Sequence, residues 1–142
     1  MQTLHPRVLI DDLAFAEGPR WHDGRLWYSD FFQGGVFAVG TDGTRERICS
    51  VPGQPSGLGW LPDGRLLVVS MERRQLLRVD ADGVKLHADL SRVAAYHAND
   101  MVVDGQGRAY VGNFGFALDE ALKERGVEGV LSDHPTATLA RV

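Results

Sequence analysis

The sequence predicts an all-β propeller assembled from four-stranded blades, and three observations carry that expectation. Glu17-Gly-Pro-Arg-Trp-His-Asp-Gly-Arg-Leu-Trp-Tyr-Ser-Asp30 recurs as Ser56-Gly-Leu-Gly-Trp-Leu-Pro-Asp-Gly-Arg-Leu-Leu-Val-Val-Ser70 and again as Asn99-Asp-Met-Val-Val-Asp-Gly-Gln-Gly-Arg-Ala-Tyr-Val-Gly-Asn113. A period of roughly 40 residues built from short strands is the pattern of propeller blades. The repeats are rich in aromatic and β-branched residues, which suit a pleated, half-buried surface. Tight-turn signals punctuate them at His22-Asp-Gly24, Thr41-Asp-Gly43, Pro62-Asp-Gly64 and Ala81-Asp-Gly83.

Element by element, the first unit (roughly 14–53) offers strands at Glu17–Trp21, Arg25–Ser29, Gly35–Val39 and Arg45–Val51. The second (54–93) offers Ser56–Trp60, Arg65–Ser70, Gln75–Val79 and Val84–Leu90. The third (94–142) opens with Asn99–Val103 and Arg108–Gly112. An insertion from Phe116 to Pro135 follows, with a short helix expected at Ala117–Arg125. Leu118, Ala121 and Leu122 form its apolar face, and Gly126 is placed to cap its C-terminus. The repeat resumes at Thr138–Val142. Residues 6–13 resemble a fourth strand, Val84–Leu90 most clearly, and read as the spare outer strand of a closing blade.

That pattern amounts to about three blades, half of a six-bladed ring, whereas propellers close with about 4–8 blades. Exposed blade faces and unpaired edges invite association. The expected partner is therefore a missing C-terminal half or a second copy of the chain, which would complete the ring.

Composition narrows the class. Hydrophobic residues make up 44% of the 142, charged residues 24%, and the formal net charge is −4, with no basic block. Nucleic acid is not an expected partner. No apolar run approaches the ~20 residues of a membrane span, and Met1–Arg7 lacks the apolar segment of a secretory leader. A single cysteine, Cys49, forbids an internal disulfide and fits a reducing, cytoplasmic setting. Cys49 reads as a small strand residue, with a reactive thiol as the alternative.

Aligning the repeats against one another separates scaffold from chemistry. Trp21 matches Trp60 and Val103, and these positions read as blade packing. Arg25, Arg65 and Arg108 match and read as turn-flanking residues. The residue opening each first strand varies: Glu17, Ser56, Asn99. First strands line a propeller's central channel, so Glu17 and Asn99 are expected at one mouth with Ser56 between them. A carboxylate with amide oxygens suits a hard divalent cation such as calcium or magnesium. The competing reading is that Glu17 and Asn99 only cap strand ends. Asp100 is placed to orient Asn99 or a bound water. His97 lies near the same mouth, as a substrate contact or a solvated loop histidine. His5, His22, His87 and His134 lack metal-ligand spacing. No Gly-x-Ser-x-Gly elbow occurs, and no Ser/His/Asp set follows from order alone. Asn113, Phe114 and Phe116 flank the insertion, which either roofs the cavity or decorates the surface.

Phe15-Ala-Glu-Gly-Pro-Arg-Trp21, Leu26-Trp-Tyr-Ser-Asp30 and His97-Ala-Asn-Asp-Met-Val-Val-Asp-Gly-Gln-Gly-Arg108 together resemble the gluconolactonase, regucalcin (senescence marker protein) and luciferin-regenerating enzyme family. The resemblance implies a six-bladed propeller with a divalent metal in its channel: most readily Ca2+, with Mg2+, Zn2+ or Mn2+ as alternatives. It implies Glu17 as a metal ligand, Asn99 as a metal or substrate contact, and Asp100 as a supporting, substrate-side neighbour. The family's remaining Asn and Asp ligands, the latter its favoured general base, lie in a second half with no counterpart here. Its sugar-binding Arg falls at His97 and a substrate-contacting Glu falls near Phe116. The leading expectation is the N-terminal portion of a metal-dependent hydrolase opening a sugar lactone or related small lactone or ester. The alternatives are a non-catalytic metal or small-molecule platform, and a half-propeller that self-associates.

Overall fold

The computed structural model describes residues 4–142. Met1–Thr3, where the segment read as lacking a leader begins, lie outside the described residues. Three antiparallel sheets follow one another along the chain. The first contains β1 (Ala16–His22), β2 (Arg25–Asp30), β3 (Gly35–Val39) and β4 (Arg45–Ser50) in sequential order. The second contains β5 (Pro55–Trp60), β6 (Leu66–Ser70), β7 (Gln75–Asp80) and β8 (Gly83–Asp89), also in order. The third contains β9 (Ala98–Val103), β10 (Ala109–Asn113) and the two-residue β11 (Ala140–Arg141). Each sheet is a blade, and the meander order follows from the short turns. At the β1–β2 turn, Asp23 and Gly24 both take positive φ, the conformation a two-residue hairpin demands.

The core lies between blades. Trp27, Val36 and Ala38 of the first blade pack on Leu58, Leu66, Val68 and Leu77 of the second. Leu67, Val69, Met71 and Leu76 on the second blade's other face pack on Met101, Ala109, Val111 and Ala140 of the third. The central strands β2, β3 and β6 are buried along most or all of their length, as strands covered on both faces must be.

Residues 6–13, read as the spare strand of a closing blade, join no sheet here, and the three blades present do not close a ring. A strand persists only against a ladder partner, and the segment instead crosses the first blade's outer face, where Ile10 packs on Tyr28, Phe37 and Val39. Two expectations need correction. The insertion helix α1 runs Leu118–Ser132 and so extends past Arg125. Gly126 breaks it with φ 66° and ψ 177°, as its capping role predicts, and a second helical segment then resumes. Trp21 packs against no blade of this chain: it is 65% exposed on the face opposite Trp27. Trp60 does pack, in edge contact with Trp27 at 5.3 Å and stacked on His22 at 4.0 Å. No described helix is long and apolar enough to cross a membrane.

Candidate functional site at the channel mouth

The innermost strands β1, β5 and β9 run side by side, and each carries the same irregularity. Three steps along the inner strand oppose two on its partner: Glu17 to Arg20 against Ser29 to Trp27, Pro55 to Leu58 against Ser70 to Val68, and Ala98 to Met101 against Asn113 to Val111. A bulge of this kind re-aims the local side chain. The bulges fall at Glu17, Ser56 and Asn99.

Glycine then lets the strands close up. A Cβ on Gly18 would stand 3.2 Å from the Ser56 carbonyl oxygen, and φ of +60° already disfavours any larger residue there. A Cβ on Gly57 would stand 2.4 Å from the Met101 backbone nitrogen and 2.9 Å from the Asn99 carbonyl oxygen. Each glycine directly follows a channel residue, so bare backbone faces the neighbouring blade.

The consequence is a row of three oxygens from three blades. Ser56, fully buried, donates its hydroxyl to Glu17 Oε1, and its Oγ lies 2.8 Å from Asn99 Oδ1. One hydroxyl proton cannot satisfy both acceptors at once. The row thus presents oxygens from three blades, a donor set that a cation complements. Burial raises the Glu17 pKa, the Ser56 hydrogen bond lowers it, and the nearby charge of Asp100 raises it again, leaving it above the ordinary carboxylate value. Among the described residues no three His, Cys, Asp or Glu side chains gather as metal ligands. What this chain offers is thus one carboxylate with neutral oxygens, a hard, calcium-like set.

Asp100 is exposed and turns to the third blade's outer face, beside Val102, Tyr110 and Leu139. Ser56, rather than Asp100, is the side chain hydrogen-bonded to Asn99. His97 is half-buried and stacks on Tyr96 at 4.1 Å, at the mouth end of β9. Cys49 is half-buried in β4 and burial pushes its thiol pKa up, as suits a packing residue.

Sequence reasoning did not single out Asp30. Its carboxylate is fully buried and accepts backbone N–H bonds from Ala14 (2.9 Å), Phe15 (3.2 Å) and Gln33 (3.0 Å). It anchors the chain two residues before Glu17. The available signal was an aspartate closing a strand where its counterparts are Ser70 and Asn113. The aromatic mouth of Phe15, Phe31, Phe32 and Tyr96 was also missed, because its members lie in loops outside the repeat alignment.

Sequential three- and four-stranded meanders around side-by-side inner strands are the blades of a β-propeller, and the bulges of those inner strands gather three oxygens into one candidate site. The SMP-30/gluconolactonase/LRE-like region matches residues 15–141, and the chain belongs to that family. No curated protein matches its sequence. Among solved structures it is similar to a gluconolactonase from Xanthomonas campestris, with 27% identity and a TM-score of 0.63, covering 74% of this chain and 37% of that one. A calcium-binding regucalcin from Agrobacterium tumefaciens matches at 19% identity and TM-score 0.57, covering 70% of this chain and 39% of that one. A luciferin-regenerating enzyme matches at 17% identity and TM-score 0.59, covering 77% and 40%. The chain thus spans less than half the length of each of these structures.

Proposed function

We propose that this chain supplies the N-terminal wall of a divalent-metal-dependent hydrolase that opens a small lactone or ester at the channel mouth. The observation that carries the reading is the oxygen row Glu17–Ser56–Asn99 in a chain of this family. Glu17 and Asn99 would hold the cation, Ca2+ before Mg2+, Zn2+ or Mn2+. When bound, such an ion polarises a carbonyl oxygen and lowers the pKa of water.

The chain's own residues then have separable tasks. Glu17 provides the fixed negative charge. Ser56 donates to Glu17 and holds it in the row with Asn99. Asn99 uses its Oδ1 within the row, leaving its Nδ2 donors for a substrate carbonyl. His97, one rung outward, faces the substrate side, and Asp100 adds negative charge beside the row. The general base is assigned to no residue here.

Glu17→Gln in the protein carrying its remaining blades should lower calcium-dependent lactone opening by about 100-fold or more, with calcium affinity falling in calorimetry. Full retained activity would reject Glu17 as a ligand. A second reading is a non-catalytic platform, favoured by the single carboxylate in the row. Calcium binding in calorimetry without any lactone turnover by the complete protein would select it.

We also propose that further blades, from continuing chain or a second copy, cover the two outer faces. One exposes Trp21 (65%) and Leu13 (40%), and the other exposes Val102 (59%) and Leu139 (67%).

A further inference from the structure

The oxygen row lies next to a cavity of about 390 Å³ that includes His97 in its lining. Its walls are built by the same rung in all three blades. The Phe31 N–H donates to the Phe15 carbonyl at 3.0 Å, the Met71 N–H to the Gln54 carbonyl at 2.9 Å, and the Phe114 N–H to the His97 carbonyl at 3.1 Å. Phe15, Gln54 and His97 each stand two residues before Glu17, Ser56 and Asn99. The cavity therefore opens one strand rung, about 6–7 Å, beyond the oxygen row.

Its lining is dominated by rings. Phe15 stacks on Phe31 with centroids 4.9 Å apart and meets Phe32 edge-on at 6.0 Å. Tyr96 and Phe114 form the opposite wall, and Met71, 3% exposed, contributes from the core. Phe15 and Phe32 remain 51% and 71% exposed, so their ring faces are available for stacking. Asp30 holds this wall in place through its bond to the Phe15 N–H. The charged groups that line the cavity are Glu72 and Asp119, with His97 beside them, and no lysine or arginine joins them among the described residues.

We propose that this cavity binds a neutral, flat or aromatic ring carried next to the reactive lactone or ester, and that the preferred substrate class is an aromatic lactone rather than a polyhydroxylated or anionic sugar lactone. The proposal rests on the reading of the oxygen row as the reactive end. Aromatic walls favour offset or edge-on contact with another ring. A cavity of this volume whose walls are mostly rings, with Gln54, Glu72, His97 and Asp119 as its polar lining, is shaped for such a ligand. Two carboxylates without a basic partner repel a phosphorylated or carboxylated sugar. They also repel the carboxylate that ring opening releases, which assists product departure.

The test uses the 142-residue chain in EDTA, so that no cation is needed for the readout. Dihydrocoumarin and gluconolactone are compared by saturation-transfer NMR and calorimetry. Dihydrocoumarin should bind at least about tenfold more tightly, with saturation concentrated on its ring protons. Phe32→Ala, at an exposed position that leaves the core untouched, should weaken dihydrocoumarin binding about fivefold and leave gluconolactone unchanged. Phe15→Ala should do the same. Circular dichroism confirms that both variants are folded. Equal or tighter binding of gluconolactone, no binding of dihydrocoumarin, or wild-type affinity in both folded variants would overturn the proposal. Calcium-dependent turnover is measured separately on the complete protein. Its absence with ring binding intact would defeat the hydrolase reading and leave this cavity assignment standing.

Discussion

Asp30 and Gly57 lie outside the oxygen row, yet they fix the backbone that positions Phe15, Ser56 and Asn99. Asp30 is fully buried and holds three backbone N–H groups around Phe15. Asp30→Ala leaves those donors without their acceptor and should destabilise the chain by about 3 kcal/mol, read as a lower urea midpoint. An unchanged midpoint would mean that water replaces the carboxylate without loss. Gly57→Ala forces a Cβ to within 2.4 Å of the Met101 nitrogen. The backbone of β5 or β9 must then move. We expect a loss of about 2–3 kcal/mol in denaturant unfolding, together with weaker calcium binding as Ser56 is pushed from Asn99. Wild-type stability in Gly57→Ala would show that the strands are less tightly apposed than the geometry requires.

Turns tie these residues into strands, and the β9–β10 turn is the most heavily bonded. Asp104 accepts the Gln106 N–H (2.9 Å), the Arg108 N–H (3.1 Å) and Arg108 Nε (2.7 Å). Burial by itself would raise the Asp104 pKa, but the Arg108 side chain and the two N–H donors outweigh it and hold the group down to about 2. An unfolded Asp titrates near 3.9, so the folded group is depressed. Its contribution to stability is full above about pH 4 and is lost as the pH falls towards about 2. Asp104→Asn should melt lower than the wild type at neutral pH, with the gap closing across that window in thermal scans at stepped pH. A gap that stays constant would show that the charge of Asp104 is not what stabilises the turn. Arg25, Arg65 and Arg108 read from the sequence as turn-flanking residues. Arg65 and Arg108 do pair with turn aspartates, Asp63 and Asp104, and Arg25 reaches across to Glu46 on β4.

Across the whole chain, three blades bury two interfaces and leave two faces outward. The N-terminal segment lays Ile10 over part of one, where Tyr28 keeps a buried hydroxyl without a hydrogen-bond partner. On the proposal that further blades cover these faces, static light scattering of the isolated chain should report self-association if the cover is a second copy. A folded, stable monomer would leave continuing chain as the source of those blades.

The propeller was legible because it is written as a period. Strand, turn and aromatic positions recur in register, and local propensity agrees with the fold in each unit. The variable positions Glu17, Ser56 and Asn99 stood out for the same reason: repetition makes exceptions visible. The bulges that turn those three side chains together, the glycine contacts that bring their backbones close, and the ring-walled cavity were beyond the sequence. Each is a relation between blades about 40 residues apart, and no local pattern encodes the distance across such an interface. The same cause leaves other positions unresolved by local pattern. Residues 6–13 have strand composition but no ladder partner among the three sheets of this chain, and Trp21 has the composition of a core residue on a face that this chain does not cover.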